Sequence, residues 1–285
     1  MAANDFKITG ERIDSLSEFL RREVDGVWKN ILYYPDSFKS ENRHPLVFTE
    51  KEFIDVSFKD TDIEHVRFVR CKFQHCLFIG ASLTKCEFTD CSFSETNTSK
   101  VRIRECLLDP LSFENNFDLK NDTNIAIDLY HSLYRNASEE HQPVHAVESL
   151  YRMKRAEHAH LESQKNRNLI DKKSFYLKKS GHMISDFISG YGLRTMRVLR
   201  LLLIVITFFS FLNYILSSLI FDECAEFTII DSIYFTCITI TTLGFGDITP
   251  VTSFGKLFVT FQALSGFVVI SIFLAAVTNR ALRAR

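Results

Sequence analysis

Asp231–Asp247, DSIYFTCITITTLGFGD, lies between two long apolar runs, and its reading decides how the last third of the chain folds. It continues an apolar stretch from Phe227 to Ile240, about 14 residues interrupted by Asp231, too short for a helix to cross a roughly 30 Å hydrocarbon core. The flanking runs, Val198–Phe221 and Leu257–Val277, have about 24 and 21 residues and meet that length. Arg200 is the only charge in the first run, and the second has none. A re-entrant half-helix is therefore predicted for the short stretch, because irregular backbone survives at membrane depth only where protein or water shields it. Thr241–Asp247 would follow the C-terminal end of that half-helix, whose partial negative charge favours a cation. Gly244 and Gly246 permit the backbone angles that turn successive carbonyls inward to replace an ion's hydration shell. The Thr242 hydroxyl can add one more layer of oxygen.

These residues resemble the pore signature of two-transmembrane prokaryotic potassium channels. The resemblance covers the last third of the chain and implies an all-α tetrameric pore with a re-entrant pore helix. It implies K+ coordination by Thr242, Leu243, Gly244, Phe245 and Gly246, with Thr241, Asp247, Tyr234 and Phe235 supporting the filter. Val and Tyr are commoner in the family where this chain has Leu243 and Phe245, so a weakly selective cation channel stays open beside a potassium-selective one. Gly266, twenty positions after Gly246, matches a glycine that acts as a gating hinge in the family. Close packing against a neighbouring helix is the alternative for a small residue in a membrane. Ala275, Ala276 and Thr278 are expected to line the inner gate.

Charge sets the expected topology. Lys178, Lys179, Arg194, Arg197 and Arg200 precede or open the first span, and Arg280, Arg283 and Arg285 follow the second. Asp222, Glu223 and Glu226 lie between Phe221 and Phe227 with no base among them. The positive-inside bias places both termini in the cytoplasm, with acidic residues concentrating cations at the outer mouth, and the resemblance implies a multi-pass protein of a prokaryotic inner or plasma membrane. Residues 1–30 have no apolar core of the kind a signal peptide carries.

A second periodicity occupies the region upstream. From Phe48 an apolar residue recurs every fifth position to Phe113, broken only at Thr98. Two positions before each runs a mostly small register that includes Cys71, Cys76, Ala81, Cys86, Cys91 and Cys106. A period of five suits neither a helix nor an alternating strand, but it suits a parallel solenoid. The pattern resembles the pentapeptide-repeat family, which implies a right-handed quadrilateral β-helix, here of roughly three coils. Five of the seven cysteines then become inward core residues. A metal cluster or disulfide framework fits them poorly in a reducing compartment.

The expected organisation is a multidomain membrane protein with a capping segment over 1–47 that includes a helix around Arg12–Val24. A pentapeptide-repeat β-helix over 48–117, a helical hairpin over 118–170, an interfacial linker helix over 171–197 and the pore module over 198–285 follow. In the hairpin Leu129, Leu133 and Tyr134 should face Val147, Leu150 and Tyr151, with a break near Pro143. A bend is expected at Gly190-Tyr191-Gly192. His141 with His145 and His158 with His160 read as solvated polar residues, since neither spacing builds a metal site on one helix face.

Formal net charge is −1, which gives no sign of a nucleic-acid partner for the whole chain. No nucleotide loop, catalytic triad or zinc motif is present, so no enzyme is expected and no cofactor beyond permeant K+. Expected partners are membrane lipid, three further copies in a homotetramer, potassium ions, and an unknown cytoplasmic ligand or protein regulator. A membrane-anchored interaction scaffold is the alternative from another class.

Overall fold

A computed structural model describes residues 8–40, 44–221 and 227–283. The chain divides into two compact units, Met1–Lys179 and Ser180–Arg285.

The first unit is built on a four-sided β-solenoid of about five turns. One side stacks β1 (Glu11–Ile13), β2 (Val27–Tyr33), β5 (Glu52–Ser57), β8 (Lys72–Gln74) and β11 (Ser92–Ser94). A second stacks β3 (Ser37–Phe38), β6 (Asp62–Glu64), β9 (Ser82–Thr84) and β12 (Arg102–Arg104). The third stacks β4 (Leu46–Thr49), β7 (Val66–Val69), β10 (Glu87–Thr89) and β13 (Leu107–Leu108). Single parallel bridges from Ser57 to Leu77 and from Leu77 to Asn97 close the fourth. All ladders are parallel, and from Phe48 onward partners lie twenty residues apart, as in Phe53↔Phe73↔Phe93.

The five-residue pattern has a local cause. Two residues after each inward side chain from Phe48 to Ile103 the chain takes the left-handed conformation, at Glu50, Asp55, Asp60, His65, Arg70 and onward to Glu105, with Gly80 the one residue of the series without a polar side chain. Each turns the chain through one corner. Inside, Phe53, Phe73, Phe93 and Phe113 stack at centroid distances of 4.9, 4.7 and 4.2 Å. Phe48, Phe68 and Phe88 form a second column, and Ile63, Leu83 and Ile103 hold an aliphatic one. Burial of each such side chain contributes about 1.5–3 kcal/mol before entropy is counted. The thiols of Cys71, Cys76, Cys86, Cys91 and Cys106 are buried, and each donates to the carbonyl 23 residues earlier, as Cys76 does to Phe53 at 3.3 Å. Burial pushes the Cys76 thiol up to about 12, far from nucleophilic thiolate. Outside, pairs twenty residues apart neutralise one another, among them Lys72 with Glu52 and Arg67 with Glu87.

The solenoid begins earlier than Phe48. Trp28 stacks on Phe53 at 5.1 Å and Phe38 pairs with Ile63, so β2, β3 and β4 already lie on three sides of a coil. Trp28, Tyr33, Phe38 and Phe48 keep the five-residue phase, which Arg43 hides in the sequence. The helix expected around Arg12–Val24 is shorter: only Leu16–Arg21 (α1) is helical, while Arg12 lies in β1 beside Leu32. Ser15 caps α1, and Phe19, fully buried, stacks on Trp28 at 5.6 Å and closes this end of the core.

At the other end two side-chain amides stand in for the missing next coil. Asn116 accepts from Thr96 N at 2.7 Å and donates to Thr96 O at 2.9 Å. Asn136, on α2 (Thr123–Glu139), does the same for Cys106 at 2.9 and 2.8 Å. Edge groups that could template further pairing are thereby satisfied. Leu129 and Leu133 of α2 enter the solenoid core, and α3 (Pro143–Asn166) packs along α2, starting at Pro143. Among the histidines, His160 meets Thr123 Oγ1 at 2.7 Å and His145 meets Gln142.

Helix α4 (Lys172–Ser189) follows, and the second unit continues with α5 (Thr195–Ile215), α6 (Ser217–Ile220), α7 (Ile229–Ile240) and α8 (Ser253–Arg283). Gly190, Tyr191 and Gly192 all take positive φ, and Arg197 ties the resulting bend by donating to the Asp186 carboxylate at 2.8 Å. Helices α5 and α8 are long and apolar enough to span a membrane, whereas α7 has only 12 residues.

Candidate ion pathway

The pore-loop sequence folds as it does because both ends of α7 are capped. Thr228 and Asp231 form a capping box at its start, which accounts for the one charge in the apolar stretch. The bond from Thr228 holds the Asp231 carboxyl below its ordinary range. At the far end Thr241 Oγ1 donates to Cys237 O at 2.7 Å, and Leu243 N donates to Ile238 O at 2.9 Å. The chain therefore leaves the helix directly from its negative end.

Beyond Thr241 the sign of φ alternates. Thr242, Gly244 and Gly246 have φ of +60°, +50° and +81°, while Leu243 and Phe245 do not share this conformation. In an extended strand successive carbonyls point to opposite sides; reversing every second residue brings them to one side. Thr242 is the only β-branched residue with positive φ among the described residues, a conformation that costs of order 1–3 kcal/mol. Thr242 to Gly246 are all exposed in the single chain.

Tyr234 and Asp247 meet: the phenol donates to the carboxylate at 2.7 Å and holds its pKa below the ordinary value. This bond joins α7 to the C-terminal end of the candidate filter without a hydroxyl at position 245. Phe235 does something else. It is buried edge-on against Phe221 at 4.9 Å and fastens α7 to the end of α6, not to the filter strand.

Three polar residues inside this unit are missing from the sequence reading. Asn213 of α5 donates through Nδ2 to Thr236 Oγ1 of α7 at 2.8 Å and to Gln262 Oε1 of α8 at 3.0 Å. All three are fully buried. Ser232 of α7 also donates to Ser210 O of α5. Asn213 and Gln262 were visible as lone polar residues within long apolar runs, and such residues in a membrane segment commonly have a role. Gly266 sits one turn beyond Gln262, with its backbone close to Ile240.

Ala275 and Thr278 lie on an open face of α8, but Ala276 is only 4% exposed and turns away from them. On a helix, residues three apart share a face while the residue between is rotated by about 100°, so Ala276 is not placed with the other two as gate lining. Asp222, Glu223, Cys224 and Glu226 lie outside the described residues, as do Arg285 and the side chains of Arg280 and Arg283.

Residues 195–283 match the family model for an ion channel, and residues 71–108 match that for pentapeptide repeats in eight copies. No curated protein matches the chain. The chain thus joins a pentapeptide-repeat solenoid to an ion-channel domain, and it is a membrane protein. Neither family is a family of enzymes.

Proposed function

We propose that this chain is one subunit of a homotetrameric potassium-selective channel, with both termini cytoplasmic and its gate coupled to the repeat domain. The observation that carries the reading is the alternating backbone of Thr242, Gly244 and Gly246, placed directly at the C-terminal end of α7. One such strand lines one side of a path, so several copies must surround the axis. The site residues are Thr242–Gly246 for coordination, with Thr241 holding the helix end and Tyr234 and Asp247 bracing the outer end.

Weak cation selectivity is the second reading, motivated by Leu243 and Phe245. The brace from Tyr234 supports the selective one, since it supplies rigidity that Phe245 cannot. Purified protein in planar bilayers under asymmetric potassium and sodium tests the choice. A reversal potential near that of potassium is expected; equal permeabilities would overturn potassium selectivity. Removing residues 1–170 tests coupling, and an unchanged open probability would make the solenoid an assembly element.

A further inference from the structure

The face of α8 carrying Gln262 and Gly266, one turn apart, runs along the face of α7 carrying Thr236 and Ile240, also one turn apart. At the first rung Asn213 bridges Thr236 and Gln262 by hydrogen bonds of 2.8 and 3.0 Å. At the second rung α8 offers no side chain at all. A Cβ on Gly266 would lie 2.7 Å from Ile240 Cγ1, 2.8 Å from Cγ2 and 2.9 Å from Cβ. Comfortable carbon contacts begin near 3.5 Å. Ile240 is 1% exposed, sits on the last turn of α7 and directly precedes Thr241 and Thr242. Because Ile240 directly precedes Thr241, its displacement would bear on the base of the candidate filter.

We propose that Gly266 is a packing notch that seats Ile240, and that this contact and the Asn213–Gln262 bond together key α8 to the base of the filter. Ile240, Gln262 and Gly266 are then positioning residues for the ion path. This inference rests on the channel function proposed above. It differs in sign from a hinge. Alanine has the higher helix propensity, so Gly266→Ala at a hinge stabilises α8. At a notch the same substitution drives a methyl group into Ile240.

The test uses the full chain, purified in detergent micelles, as wild type, Gly266→Ala, Ile240→Ala and the double variant. Thermal melting and reversal potentials in bilayers are both recorded. Gly266→Ala is expected to lower Tm by about 2–4 °C and to move the reversal potential toward zero. Ile240→Ala removes the two shortest contacts and leaves the Cβ at 2.9 Å, so Gly266→Ala should have a smaller effect on both readouts in that background. An equal effect in both backgrounds, or a raised Tm in the wild-type background, would overturn the notch. Should Gly266→Ala alone yield no folded protein, recovery by Ile240→Ala supports the notch and failure to recover overturns it. A wild-type chain that melts cooperatively but carries no current defeats the channel reading, while the melting comparison still decides the notch.

Discussion

Thr96 and Thr98 are two residues apart in one coil, and each is 3% exposed, yet replacing their hydroxyls should change stability in opposite directions. Thr98 occupies the ladder position where the column of Phe58 and Phe78 would continue, and its Oγ1 has no hydrogen-bond partner among the described residues. Thr96 belongs to the small register, and its Oγ1 donates to Ser94 O at 3.2 Å. A buried hydroxyl without a partner costs about 1–3 kcal/mol, whereas a satisfied one contributes about 0.5–1.5 kcal/mol. Thr98→Val, which keeps the shape and removes the hydroxyl, should therefore stabilise the coil by about 1–2 kcal/mol. Thr96→Val should destabilise it by about 1 kcal/mol. Coils interact mainly with their neighbours, so a local readout is needed. Amide hydrogen exchange on the full chain in micelles provides it at Asn97 N and Phe78 N, which donate to Cys76 O and Asn97 O across adjacent coils. Exchange there should slow about 5–30-fold in Thr98→Val and quicken about 5-fold in Thr96→Val. The same sign for both variants, or no change in Thr98→Val, would refute the reasoning.

The Tyr234–Asp247 brace gives a pH dependence. Because the hydrogen bond depresses the Asp247 pKa, its stabilisation is complete above the ordinary carboxylate value and is lost as pH falls through the lowered one. Conductance should withstand external acid to below about pH 4, and Tyr234→Phe should move the loss to higher pH; identical profiles would count against the brace. Within the membrane unit, Asn213→Leu alone should lower thermal stability by roughly 1–2 kcal/mol, because Gln262 and Thr236 lose their partner. Adding Gln262→Leu should restore part of that loss, and a double variant worse than the sum of the singles would reject the bridge.

What the sequence disclosed depended on how many residues shared a signal. Span length is imposed by the bilayer and spread over some twenty residues, so α5, α8 and the shortness of α7 were readable. The β-solenoid was readable because two registers repeated together, but its first coil was not. There Trp28 and Tyr33 replace phenylalanine, the small register lapses, and Arg43 interrupts the series. Asp25 and Asn30 take the left-handed conformation in the same phase as Glu50, but Pro35, Ser40 and Pro45 between them do not, so the corner register also lapses in this coil. The end caps follow the same logic. Asn116 and Asn136 act through amide geometry at one edge each, and a single asparagine has no period to betray it. The Asn213–Thr236–Gln262 bridge draws one residue from each of three helices, so only their packing brings it together.

Thr242 is where folding and conduction make opposite demands. Its left-handed backbone costs about 1–3 kcal/mol for a β-branched side chain, and glycine would adopt it freely. If stability alone governed this position, Thr242→Gly would be a net improvement, the relieved strain exceeding the roughly 0.5–1 kcal/mol that glycine costs through the unfolded chain. If the hydroxyl is an ion ligand, the same substitution removes one layer of oxygen at the inner end of the filter while relieving the backbone. Thr242→Ser separates the two effects, since it keeps the hydroxyl and sheds the branched methyl group. The expected outcome is a later thermal transition for Thr242→Gly, by an amount corresponding to about 1–2 kcal/mol, with a reversal potential moved toward zero. Thr242→Ser should keep the wild-type reversal potential. A glycine variant that still discriminates potassium from sodium would remove Thr242 from the coordination set and leave its strained backbone without a functional reason.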